Sequence, residues 1–406
     1  MRTKVKLKGG ISLIVLVITI IVMIILAAAI ILSLSNSGII GKANKAKTDT
    51  DISNAKDLVA MAHADWMLDE AKIKENDNTI TSFSNYAEKK LQEAGYKVGA
   101  GEGAYTVTEY GEVYSGLTET ARVAIVAGIK IGDEVNYSTV LTEKSYTTDG
   151  SEQSSTGTAN NTKKQTIKTN TSYTWKYIGL GEDGNLLITP DTPTGRVDAI
   201  YEMTLGDRGG YLNGPEMLNM ACDVLYTVEE KGSARSMNMD DVTKLLEYNG
   251  PKGNYYEPQD ADGNFKLVET NEPIMIKEYE AKFNTKLARN YVLEGKDLGE
   301  YKSDGYSIDK NRNATRITKD KVKQDLVFQE KSYWLASSSV GAGFGGNFAV
   351  FFVSYVDNSL NVAGCYMFGT RGAGSDTDRY VIRPVVSLIT NLQKITENGK
   401  TIWTLS

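Results

Sequence analysis

The chain has 406 residues, 24% of them charged and 41% hydrophobic, with a net charge of −6, two cysteines and one histidine. The acidic balance argues against nucleic acid as a partner, and the lone His63 excludes a histidine triad or a multi-histidine zinc centre in the regions beyond it. Two cysteines, Cys222 and Cys365, cannot make a disulfide framework.

Residues 1–10, MRTKVKLKGG, form a basic leader, and 11–34 is a run of 24 residues without Asp, Glu, Lys, Arg, Gly or Pro. As a helix it reaches about 36 Å at roughly 1.5 Å per residue, against a bilayer core of about 30 Å. Its 17 Ile, Leu and Val residues favour insertion by about 7 kcal/mol in sum. Arg2, Lys4, Lys6 and Lys8 hold the leader on the cytoplasmic side, so everything after the helix is predicted to be outside. That outer part carries a net charge of about −10.

A secretory signal has a shorter apolar core and a small-residue cleavage site on its far side. Here the one abrupt change of chemistry is Lys8-Gly9-Gly10 before Ile11. In this the segment resembles a type IV prepilin or pseudopilin signal. The resemblance implies cleavage between Gly10 and Ile11 by a prepilin peptidase, and later packing of the apolar helix against other pilin subunits. It departs from the family at the fifth mature residue, Val15, where most such subunits carry a Glu that pairs with a neighbour's amino terminus. A plain, uncleaved signal anchor is the alternative.

Beyond the membrane segment, Ile39, Ile40, Ala43, Ala46, Ala55, Leu58, Val59, Ala62 and Trp66 keep helical spacing. They predict one transmembrane and stalk helix over 11–70. A small pilin-like head follows over 71–120, from a helix at 82–94 with Phe83, Tyr86, Ala87 and Leu91 inward and a Gly-rich hairpin at 96–114.

The remaining 121–406 opens with a strand at 129–137. Residues 142–172 are rich in Ser, Thr, Asn and Gly and read as an exposed polar loop. A hairpin follows, with Trp175 and Tyr177 outbound, a turn at 182–185, and Leu187 and Thr189 returning. Helices are predicted at 215–228, where Leu218, Ala221, Cys222 and Leu225 share a face and Cys222 is a buried thiol, and at 240–248, capped by Asp240 or Asp241. Residues 252–305 read as loops with a short helix at 276–289. The last third is antiparallel β, with strands at 332–337, 348–356, 360–368 and 379–389, and Pro384 at an edge or bulge.

The segments IKIGDEVNY, TWKYIGL, GNLLIT, GYLNGPEMLNMACDVLY, ARSMNMDDV, SYWLAS and VIRPVVSL resemble extracellular modules of Gram-positive bacteria that often follow prepilin-like leaders. The YWLAS and RPVVSL pair is similar to core strands of a C-type-lectin-like fold, shared with formylglycine-generating enzymes and variable ligand-binding proteins. The predicted fold class is therefore α+β: a long N-terminal transmembrane and stalk helix with a small pilin-like head, then a mixed C-type-lectin-like domain dominated by antiparallel strands.

Such a fold prompts a search for cation and sugar ligands. Asp376 and Asp378, and Asp260, Asp262 and Asn264, are spaced like loop ligands, but Gly263 comes too early for an EF-hand, and all five read as solvated turns. GAGFGGNF at 341–348 lacks the Lys-Ser/Thr of a phosphate loop. The glycines of 341–346 and 369–374 could frame a binding surface beside Tyr366, Phe368 and Arg371. Formylglycine-generating enzymes need a cysteine pair at the active site, whereas Cys222 and Cys365 fall on a helix and a strand, so no enzyme, metal or cofactor is predicted.

The sequence thus predicts a membrane-inserted prepilin-like subunit, a minor or tip component of a pilus or pseudopilus, handled by prepilin peptidase and type II-like assembly machinery. It touches membrane lipid through its helix and displays an adhesion domain for a protein or carbohydrate ligand. A surface receptor that never assembles is the alternative.

Overall fold

The computed structural model describes residues 39–148, 165–191, 202–205, 207–256, 261–262, 264, 266–271, 274–275, 302–311, 313–329, 331–342, 349–357, 359–369 and 379–406. They fall into two compact units, one of residues 39–98 with Gly103–Ser115, the other of Gly99–Glu102 with the described residues from Gly116 onward.

In the first unit, α1 (Ile39–Asn76) and α2 (Phe83–Glu93) pack on the hairpin of β1 (Tyr105–Val107) and β2 (Val113–Ser115). Ala55, Val59, Ala62 and Trp66 fall on one face of α1 by their three- and four-residue spacing, and that face is buried against Phe83, Tyr86, Ala87 and Leu91 of α2. Ser82 caps α2 by accepting from Asn85 N at 3.3 Å. Gly95, at φ +90°, ends it, with Tyr96 N donating to Leu91 O at 2.9 Å. A second cap comes from far along the chain: the Glu109 carboxylate accepts from Phe83 N (3.1 Å), Ser84 N (3.2 Å) and the Ser84 hydroxyl.

The predicted fold class is corrected here. Among the described residues no helix is long and apolar enough to cross a membrane. The helix expected over 11–70 is described only from Ile39, runs to Asn76 and is interrupted at Asp69 (φ −152°, ψ 50°). Its sequence carries Lys47, Asp49, Lys56, Asp57 and Asp65 at exposed positions, a pattern for water rather than lipid. Residues 11–34 lie outside the described part. The described chain is α+β, with six α-helices and sheets of antiparallel and mixed strands.

The second unit begins with α3 (Glu119–Val126), capped by Thr118. Next come β3 (Glu134–Asn136), β4 (Ser145–Thr147), β5 (Thr166–Lys168), β6 (Thr174–Leu180), β7 (Leu186–Asp191) and β8 (Glu202–Thr204). After α4 (Asp207–Tyr226), β9 (Gly232–Ser236) and α5 (Met239–Leu246) come short strands: β10 (Gly253–Tyr256), β11 (Leu267–Thr270), β12 (Ile274–Met275), β13 (Lys302–Ser303) and β14 (Ile308–Asp309). Helix α6 (Lys321–Val327) precedes β15 (Tyr333–Ala342), β16 (Ala349–Val356), β17 (Asn361–Gly369), β18 (Arg379–Val381), β19 (Pro384–Leu388), β20 (Leu392–Glu397) and β21 (Lys400–Leu405).

Two sheets result. A seven-stranded one runs β20-β21-β3-β6-β7-β19-β9, antiparallel except β21 with β3, and a six-stranded one runs β14-β17-β16-β15-β18-β8, antiparallel except β15 with β18. Helix α4 packs on β9 and β19 of the first and on β15, β16 and β17 of the second, which is why Leu218, Ala221, Cys222 and Leu225 are all at 0% exposure. Helices α5 and α6 bury Val242, Leu245, Leu246, Leu326 and Val327 in one core cluster with Tyr333, Leu335, Val356 and Val381 of the six-stranded sheet.

Three expectations change in detail. Part of the polar loop 142–172 is ordered as the hairpin β4–β5, because Ile167, Thr148 and Thr169 find cover there, while 149–164 lie outside the described residues. The strand expected over 379–389 is two strands in different sheets, and the chain changes sheet at Ile382-Arg383. Pro384 lies in no edge strand, since β19 runs between β7 and β9, but as its first residue it has a register partner only in Ser236 of β9, the pairing with β7 beginning at Val386.

Candidate functional site

Of the residues singled out in the sequence, Tyr366 and Phe368 lie on β17, in register with Phe352 and Phe351 of β16. Between those pairs the register shifts, and Met367, fully buried, is the residue without an opposite number. Arg371, Asp376 and Asp378 lie outside the described residues, as do Asp260, Gly10, Ile11 and Val15. Asp262 and Asn264 are described and exposed. Among the described residues no group of three or more His, Cys, Asp or Glu could hold a metal.

The described structure instead gathers the quoted motifs into a buried polar junction between the sheets. Arg383 of VIRPVVSL is 2% exposed. Its guanidinium donates from Nε to Thr189 Oγ1 (3.3 Å), from Nη1 to Val327 O (3.5 Å) and from Nη2 to Leu326 O, and it sits 4.7 Å from the centre of the Tyr333 ring. The acceptors at 326 and 327 are the last carbonyls of α6, the negative end of the helix, so the cation completes the helix terminus without a carboxylate. Thr189 Oγ1 donates in turn to Pro384 O at 2.8 Å, and Tyr333 Oη donates to Val327 O at 2.8 Å. Burial pushes the Tyr333 hydroxyl up to about 12 against the opposing pull of Arg383, so it stays a donor at every physiological pH.

ARSMNMDDV supplies the second half. Asn238 and Asp241 make a reciprocal capping box at the start of α5, Asp241 N donating to Asn238 Oδ1 and Asn238 N to Asp241 Oδ2, each at 3.0 Å. The same carboxylate, 4% exposed, takes both arms of Arg235 at 2.6 and 2.7 Å. Burial works against the Arg235 charge, but the bond and the attraction to Asp241 outweigh it and hold the guanidinium above its ordinary value. Ser337 of SYWLAS accepts from Met239 N at 3.1 Å, Ala336 N donates to Met237 O at 2.8 Å, and Met237 N donates to Arg383 O at 2.8 Å. Asn219 of α4 accepts from Ser236 N at 3.0 Å.

An aromatic cluster closes the other end of α4. Tyr137 donates to Tyr226 O (2.8 Å), Thr169 to Leu225 O (3.2 Å) and Lys144 Nζ to Thr227 O (2.7 Å), which offsets the lack of a basic residue in the last turn of α4. Trp403 donates to Asp133 Oδ2 at 3.1 Å, joining the last strand to IKIGDEVNY.

Chemically, these groups bind one another. Arg383 and Asp241 are spent on backbone and side-chain partners, and the two cysteines are buried and not bridged by a disulfide, burial pushing the Cys222 thiol up into its neutral form. Arg383, Asn238 and Ser337 lie inside these motifs, but the sequence alone assigns no role to these residues. The signal was available, since a charge flanked by Val381-Ile382 and Pro384-Val385-Val386 can only be buried with partners. No family model matches the chain, and no curated protein or solved structure shows significant similarity to it.

Proposed function

We propose that the chain is a prepilin-like, membrane-inserted subunit, a minor or tip component of a type IV pilus or pseudopilus. Residues 11–34 hold it in the membrane, the leader 1–10 stays in the cytoplasm for removal by prepilin peptidase between Gly10 and Ile11, and the second unit is displayed outside as a binding surface for protein or carbohydrate. The observation that carries this reading is the two-faced character of α1 directly after the apolar segment. Opposite its buried stripe, Met61, Met67 and Leu68 are 67%, 73% and 84% exposed, and Ala60 and Ala64 lie between them. A sister subunit would cover such a stripe.

Mass spectrometry of the protein from its native membrane tests it. A chain starting at Ile11 supports the reading, and a chain retaining Arg2–Gly10 refutes it. The second reading, an uncleaved surface receptor that does not assemble, is favoured by Val15, which leaves no carboxylate for a neighbour's amino terminus. Immunogold labelling of sheared surface material separates the two, since label on filaments is expected only of the first.

A further inference from the structure

We draw no further inference here: the strongest candidate, the stacked and half-buried Tyr355–Tyr380 pair beside Trp334 on the six-stranded sheet, carries nothing because nothing among the described residues shows what covers it.

Discussion

Replacing Arg383 by Ala should unfold the second unit far more readily than its single position suggests. The substitution removes the charged donor at Leu326 O, leaving a buried helix-terminal carbonyl unpaired at a cost of about 1–3 kcal/mol. It also removes a stem of methylenes worth about 0.8 kcal/mol each and the contact with the Tyr333 ring, about 1 kcal/mol. Val327 O keeps the Tyr333 hydroxyl and Thr189 keeps Pro384 O, and the desolvation cost of the buried cation is recovered, so the net loss is about 3–4 kcal/mol. With a urea slope of about 2 kcal/mol/M the midpoint falls by about 1.5–2 M. Tryptophan emission reads it directly, because Trp175, Trp334 and Trp403 are all fully buried in this unit. Arg383→Met keeps most of the stem and should cost about half as much. A midpoint for Arg383→Ala within 0.3 M of the parent, or Met proving worse than Ala, would refute the assignment of Arg383 as the clasp of α6.

Asp241→Asn should cost about 2 kcal/mol in thermal or urea melts, since it weakens both the Arg235 fork and the α5 cap, whereas Asp240→Asn, exposed, should cost under about 0.5 kcal/mol. Glu109 sits partly desolvated, which raises its pKa, but bonds from Ser84, Ser82 and Phe83 more than compensate and the net shift is downward from 4.5. Its contribution to the first unit is therefore complete above the unfolded value and is lost as pH falls through the lower folded one; Glu109→Gln should flatten the acid limb of a Trp66 fluorescence melt, and an unchanged limb would count against the cap. Gly184→Ala combines φ +75° with a Cβ placed 2.1 Å from Gly116 O and should cost about 2–3 kcal/mol, against about 1 kcal/mol for Gly128→Ala, which has φ +87° but open space; equal costs would show that the contact is immaterial.

Local pattern made much of the fold legible. The helix expected at 82–94 is α2, within a residue at each end, because Ser82 and Gly95 are unambiguous start and stop signals. The turn at 182–185 is where β6 and β7 meet, and the shared face of Leu218, Ala221, Cys222 and Leu225 is buried. What periodicity could not supply was partnership. Nothing local says that Tyr380 and Val385 belong to different sheets, or that β21 returns to lie parallel to β3. The long polar stretch 142–172 looked too hydrophilic to order, yet Lys144 and Thr169 are used on the carbonyls that end α4. The candidate ligand face is the least legible part: composition points to glycines and aromatics near residues 341–374, and of that group Gly341, Tyr366, Phe368 and Gly369 fall in described strands. The apolar run 11–34, from which hydropathy predicts a transmembrane rod, lies outside the described residues, and among those described no helix is long and apolar enough to cross a membrane.

The return of the carboxyl end to the beginning of the second unit sets the order in which that unit can be finished. Strand β3 is edged by β6 on one side and waits for β21 on the other, and Trp403 reaches Asp133 across 270 residues of sequence. Strand β19, which fills the gap between β7 and β9, is also made long after both. A growing polypeptide therefore emerges with both large sheets incomplete until residues 379–405 are out, a slow, non-local route with sticky intermediates. Nascent chains cut short anywhere before Lys400 are left with β3 unclosed on one side, so premature termination should yield substrates for proteolysis rather than shortened but serviceable molecules.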